Sequence, residues 1–183
     1  MRLRNKGFIL SCIGLLAFTF SCKIYNFTGG SIPPEVKTIS VGFIENQAGS
    51  GPPSLPLVTT EKIKTYFQDN SSLSIAPTNG DWQITGYISQ YSTEPVAPQA
   101  GQTQTAALTR LRITVVIDFH NTLASEEEDE VQDERHVKDF KLPFSYYADF
   151  TQDQSLSQVE NELINQILDQ IVLDIYTKTT SNW

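Results

Sequence analysis

Leu108-Thr109-Arg110-Leu111-Arg112-Ile113-Thr114-Val115-Val116-Ile117-Asp118-Phe119 is the stretch on which the fold turns. Leu111, Ile113, Val115, Ile117 and Phe119 form an apolar set, and Arg110, Arg112 and Thr114 fall between them. A period of two sends the two sets to opposite faces of a β-strand, and the β-branched content suits a half-buried sheet. Something must therefore cover one face while the other meets water.

On the N-terminal side, Trp82 to Tyr91 alternates in the same way and follows the short apolar piece Leu73-Ser74-Ile75. Asn79-Gly80 lies between them and fits a hairpin turn. Further back, Val36 to Ile44 is β-branched, bounded by Pro33-Pro34 and by Asn46 to Pro53, and reads as a first strand. Leu57, Val58, Ile63, Tyr66 and Phe67 fall near helical spacing, which predicts a helix of about three turns begun at Thr59 or Thr60 and ended at Asn70-Ser71. Residues 92 to 106 (STEPVAPQAGQTQTA) have no periodicity; Pro95, Pro98 and Gly101 should keep them out of the sheet as an exposed loop.

On the C-terminal side an acidic tract, Glu126-Glu127-Glu128-Asp129-Glu130, precedes a last strand from about Val137 to Tyr146. It lacks the spacing and central glycine of an EF-hand and reads as the charged tip of a hairpin. From Ser155 to Thr179 the residues Leu156, Val159, Leu163, Ile167, Ile171 and Ile175 make a continuous helical stripe, with Ser157 and Glu160 placed for a capping box. The order β-α-β-β-β-β-α predicts an α+β fold: a mostly antiparallel sheet of four to five strands covered on one face by two helices.

The chain has 183 residues, 13 Lys and Arg against 21 Asp and Glu, a formal charge of -8, and two cysteines. These values exclude a collagen, a disulfide-stapled miniprotein and a polybasic nucleic-acid binder, so no nucleic-acid partner is expected. The size suits one domain.

Arg2, Arg4 and Lys6 precede an uncharged run of 13 residues, Phe8 to Phe20, which ends in Ser21-Cys22. As a helix the run reaches about 20 Å, well short of a bilayer's hydrocarbon core, so it reads as a cleaved secretory signal. A cysteine directly after a small residue at this point resembles a bacterial lipobox, in which the thiol is acylated and becomes the mature N-terminus. Cys12 lies inside the signal, leaving Cys22 as the one mature cysteine, with no internal disulfide to join. The expected organisation is a signal peptide over 1–21, a lipidated tether over 22–35 and one domain over 36–183, held on a membrane by N-terminal acyl chains such as palmitate. Removing the three basic residues of the signal takes the net charge to -11, which disfavours attraction to anionic lipid by bulk charge.

No catalytic residue and no cofactor are expected. His120 and His136 have no Cys or second His at ligand spacing, so no metal site is expected either, and the short motifs of serine hydrolases and zinc proteases do not occur. Arg110 and Arg112, two apart on one strand face, are candidates to hold phosphate or carboxylate oxygens.

Around Cys22, Tyr25-Asn26-Phe27-Thr28-Gly29 leads into Ser31 to Val41; Gly86, Tyr91 to Val96, Leu111 to Val115, Phe144 to Phe150 and the final helix follow in order. In this combination the chain resembles LptE-type lipopolysaccharide-assembly lipoproteins over nearly all of its mature length. The resemblance implies an outer-membrane lipoprotein without catalytic activity. Such a protein plugs the LptD β-barrel, helps it assemble and passes lipopolysaccharide to the cell surface, facing the periplasm and the barrel lumen. Arg110 and Arg112 are then candidates to contact lipopolysaccharide, and Pro95, Val96 and Pro98 candidates to contact the barrel. The alternatives are an unrelated anchored periplasmic accessory lipoprotein, such as a pilotin or a lipid-export subunit, and an anchored enzyme.

Overall fold

The computed structural model describes residues 32–96, 107–124 and 137–181. Cys22, Pro98, Gly101, the acidic tract and His136 lie outside the described residues. The elements in chain order are β1 (Thr38–Val41), β2 (Glu45–Asn46), α1 (Leu55–Asn70), β3 (Ser74–Ala76), β4 (Trp82–Val96), β5 (Leu108–Asn121), β6 (Phe140–Thr151) and α2 (Leu156–Thr180). The chain folds as α+β: both helices lie on one face of a six-stranded sheet ordered β3-β1-β4-β5-β6, with β2 beside β4. The long strands β4, β5 and β6 are antiparallel, while β1 pairs in parallel with β3 and β4, so the sheet is mixed.

β5 carries the expected pattern. Leu111, Ile113, Val115, Ile117 and Phe119 are fully buried beneath the helices. The stripe of α2 meets them: Leu163, Ile167, Ile171 and Ile175 are buried, and Leu156 and Val159 pack partly buried at its start. The helices hold each other through Lys62 and Asp169, 2.5 Å apart, and through the Tyr176 hydroxyl, which donates to the Asn70 carbonyl at 2.5 Å. Tyr176 also meets the rings of Tyr66 and Phe67 edge-on.

The predicted Asn79-Gly80 hairpin does not form. β3 and β4 both run parallel to β1 and flank it, so the connection crosses β1 instead of reversing beside it. A Cβ on Gly80 would lie 2.5 Å from the Ser40 nitrogen and 2.8 Å from the Ile39 carbonyl carbon. Only glycine lets the crossing chain come so close. Trp82 then enters the core edge-on to Phe119, its indole N–H without a hydrogen-bond partner among the described residues.

Other boundaries shift for local reasons. The first strand is broken at Gly42 to Ile44, because the Ile44 N–H turns to the Thr60 hydroxyl at 3.0 Å. Thr59 and Thr60 do not start α1. They are buried inside it, their hydroxyls donating back to the carbonyls of Leu55 and Pro56, and Pro56 in the first turn sets the start. The capping box of α2 uses Ser155 and Gln158, not Ser157 and Glu160; the Gln158 side chain accepts the Ser155 N–H at 3.2 Å. Glu160 instead accepts the Tyr91 hydroxyl at 2.5 Å. β6 starts and ends later than expected, running through the aromatic segment to Thr151.

Residues 92–96 are not loop but the end of β4. Pro95 pairs with Thr109 and Val96 with Leu108. β1 and β2 reach β4 only between Trp82 and Ile88, so beyond that point β4 has β5 on one side and an open edge on the other. An open edge is where a strand tolerates proline.

Candidate functional site

The helices leave one face of β4, β5 and β6 uncovered. A β-bulge between Ile88 and Gln90 exchanges the faces of β4. Ile84 and Ile88 point inward before it, and Tyr91, opposite Ile113, points inward after it. The outer face thus continues through Gln90, Ser92 and Glu94 alongside Arg110, Arg112 and Thr114.

Cross-strand rows on this face are polar. At one end Lys141 meets Asp118 at 3.0 Å. In the middle the Thr114 hydroxyl stands 3.0 Å from that of Ser145 and 3.3 Å from the Gln90 side-chain oxygen. At the other end Arg110 grips Asp149 with both arms, Nε to Oδ1 and Nη2 to Oδ2, each at 2.8 Å. Its guanidinium also lies 3.6 Å above the Tyr147 ring, with that of Arg112 at 5.4 Å. Arg112 has a longer contact to Glu94, 3.5 Å.

The sequence placed both arginines on one face, and there they are. It did not show Glu94, Tyr147 and Asp149, which come from neighbouring strands and become partners only through register. The bond from Arg110 holds the Asp149 carboxyl below the usual range, and Asp149 in turn raises Arg110. Arg110 is thereby committed, and Arg112 keeps more of its donors for an incoming anion. Pro95 and Val96 sit at the tip of the same sheet as strand residues.

His120, at the far end of β5, pairs with Asp139, whose other oxygen accepts the Asn121 N–H at 2.8 Å. No group of three or more metal-ligating side chains gathers among the described residues. None of the helices among them is long and apolar enough to cross a membrane.

The sheet has two distinct ends. Chain entering at Ile32 packs against the core beside the starts of β1 and β4 and the end of β5, where Trp82 pairs with Asn121. The β4–β5 tip, Val96 opposite Leu108, lies at the other end, about 45 Å away along the 14-residue β5. A family model described as LptE, lipopolysaccharide-assembly, matches residues 36–179, from just before β1 to the last turn of α2. The chain belongs to the LptE family.

That membership sets aside an unrelated accessory lipoprotein. No curated protein matches the chain in sequence. Among solved structures, a Xanthomonas campestris protein shares 10% identity at a TM-score of 0.50, with 84% of this chain and 91% of that one covered. A minor lipoprotein from Acinetobacter baumannii shares 13% at 0.46, covering 80% and 94%. A lipoprotein B from Nitrosomonas europaea shares 11% at 0.43, covering 79% and 83%. At such identities the Xanthomonas likeness concerns the fold alone.

Proposed function

We propose that this LptE-family chain is an outer-membrane lipoprotein, acylated at Cys22, that serves an LptD-type β-barrel as plug and assembly factor and assists lipopolysaccharide transport to the cell surface. The observation that carries the reading is the family match over residues 36–179. It assigns a binding and assembly role with no catalytic step. Residues 1–21 would be removed as a signal and 22–35 would serve as the tether.

The geometry agrees with this role. A plug must offer a polar, rigid surface to the polar interior of a barrel, and the uncovered face of β4–β5–β6 is one: its charges are paired across strands and its hydroxyls are linked. The tether enters at one end of the sheet, so the β4–β5 tip with Pro95 and Val96 points away from the anchor. Arg112 supplies guanidinium donors to an anionic glycolipid more readily than Arg110, which Asp149 holds.

Affinity purification of the tagged full-length chain from detergent-solubilised envelopes, with mass spectrometry of what accompanies it, tests the proposal. A large β-barrel protein should be recovered in stoichiometric yield; a preparation without any barrel rejects the reading. Cys22→Ser should abolish fatty-acid labelling and release the chain from membranes, and label retained on that variant refutes the anchor.

A further inference from the structure

β6 closes the sheet order β3-β1-β4-β5-β6, so among the described strands its outer edge has no partner. Which of its backbone groups face outward follows from one bond. The Gln152 N–H donates to the Ala107 carbonyl at 3.1 Å, one step beyond the Thr151–Leu108 pair. Backbone groups alternate along a strand, so even-numbered residues of β6 bond to β5 and odd-numbered residues face out. Pro143 is odd, so its missing N–H costs the β5 ladder nothing.

We propose that β6 is a self-recognition edge, at which two copies of this chain pair antiparallel about Ser145 and join their sheets into one. Two two-fold registers keep the faces in phase and use all but one of the twelve β6 residues, one centred on Ser145 and one on Tyr146. Charge selects between them. About Ser145, Lys141 stands opposite Asp149 of the second copy, twice by symmetry; about Tyr146, Asp149 would face Pro143. In the first register the charges alternate across the seam: Glu94, Arg110 and Asp149 of one copy, then Lys141 and Asp118 of the other.

The inner face fits the same register. Phe144 would oppose Tyr146, Leu142 would oppose Ala148 and Phe140 would oppose Phe150, continuing the apolar layer. Leu142 is 38% exposed, and Phe144 and Tyr146 are half-buried, so this rim is uncovered in a single chain. Lysine and proline on an edge ordinarily repel foreign strands. Here the Pro143 ring would meet the Tyr147 ring and Lys141 would find a carboxylate, so the features that deter other strands are satisfied by a second copy.

The test is sedimentation of the full-length chain in detergent, where a dimer is expected. Ser145→Pro removes an outward N–H at the two-fold axis without touching the β5 ladder, and should give a monomer with an unchanged circular dichroism spectrum. Lys141→Glu should raise the dimer dissociation constant roughly tenfold, the scale of two cross-strand charge pairs. Ser145→Cys should form an intermolecular disulfide under mild oxidation, since the paired Cα atoms would lie about 5.5 Å apart. Ser92→Cys and the unsubstituted chain should not. A monomeric unsubstituted chain overturns the proposal, as does a dimer that survives Ser145→Pro. If Ser145→Pro fails to fold, the Ser145→Cys cross-link decides by its presence or absence. The inference goes beyond the barrel reading, and failure of either leaves the other standing.

Discussion

Asp81 holds the entrance of β1. Its Oδ2 accepts the N–H groups of Lys37 at 2.8 Å and Thr38 at 2.9 Å and the Thr38 hydroxyl at 2.9 Å, while its own N–H donates to that hydroxyl at 3.0 Å. The Lys37 N–H, then that of Thr38, keep the carboxyl below its ordinary value. A depressed carboxylate contributes stability that is complete above the unfolded pKa, near 3.9, and is lost as pH falls through the lower folded value. Thermal midpoints should therefore drop between about pH 4 and pH 2, and Asp81→Asn should lower the midpoint at pH 7 while flattening that acid drop. An unchanged acid slope in the variant contradicts the assignment. Gly80→Ala should cost about 1 to 3 kcal/mol in denaturant titrations, because the new methyl meets backbone atoms of Ser40 and Ile39 that cannot yield. Asn79 at φ 53° confirms that the chain turns there. What the sequence could not show is the strand that lies in the gap, since parallel pairing across a connection leaves no local signature.

At the scale of elements, hydrophobic period decided most of what was legible. β5 and α2 expose their apolar stripes in the sequence, and both are buried where expected. Leu163→Ala should cost about 2 to 5 kcal/mol, as for other buried leucines, because Leu163 is only 6% exposed. Leu173→Ala, on the outer side of the same helix at 40% exposure, should stay within about 0.5 kcal/mol. Equal losses at both positions, measured by urea denaturation, would mean that the helix packs in a different rotation. Period failed where a strand changes faces. The bulge in β4 falls in the polar run Ser89-Gln90, so no apolar residue marks the switch, and the strand appears to stop when it continues to Val96. It failed again at the ends of α1 and α2, where several hydroxyl and carboxylate residues could cap. The choice there was made by distant partners, Ile44 for Thr60 and Tyr91 for Glu160.

For the whole molecule, the division of the sheet into a covered face and a polar one is what a binding surface can be built on. The division was readable from β5 alone; the pairing of the surface charges was not, because Arg110 and Asp149 are 39 residues apart and meet only through the β5–β6 register. If this face meets a barrel wall, its binding energy should concentrate at Tyr147, which is 40% exposed and carries both guanidiniums over its ring, since aromatic and arginine side chains dominate interface hot spots. Tyr147→Ala should then reduce recovery of the barrel partner from detergent extracts by about tenfold or more, the equivalent of roughly 2 kcal/mol of binding. Arg110 and Asp149 remain paired in that variant, so its thermal midpoint should change little. Leu173→Ala, on the helix layer, should leave recovery at the unsubstituted level. A barrel retained in full by Tyr147→Ala but lost by Leu173→Ala would place the interface on the helices, and the polar sheet face would then be simply the solvated side of the domain.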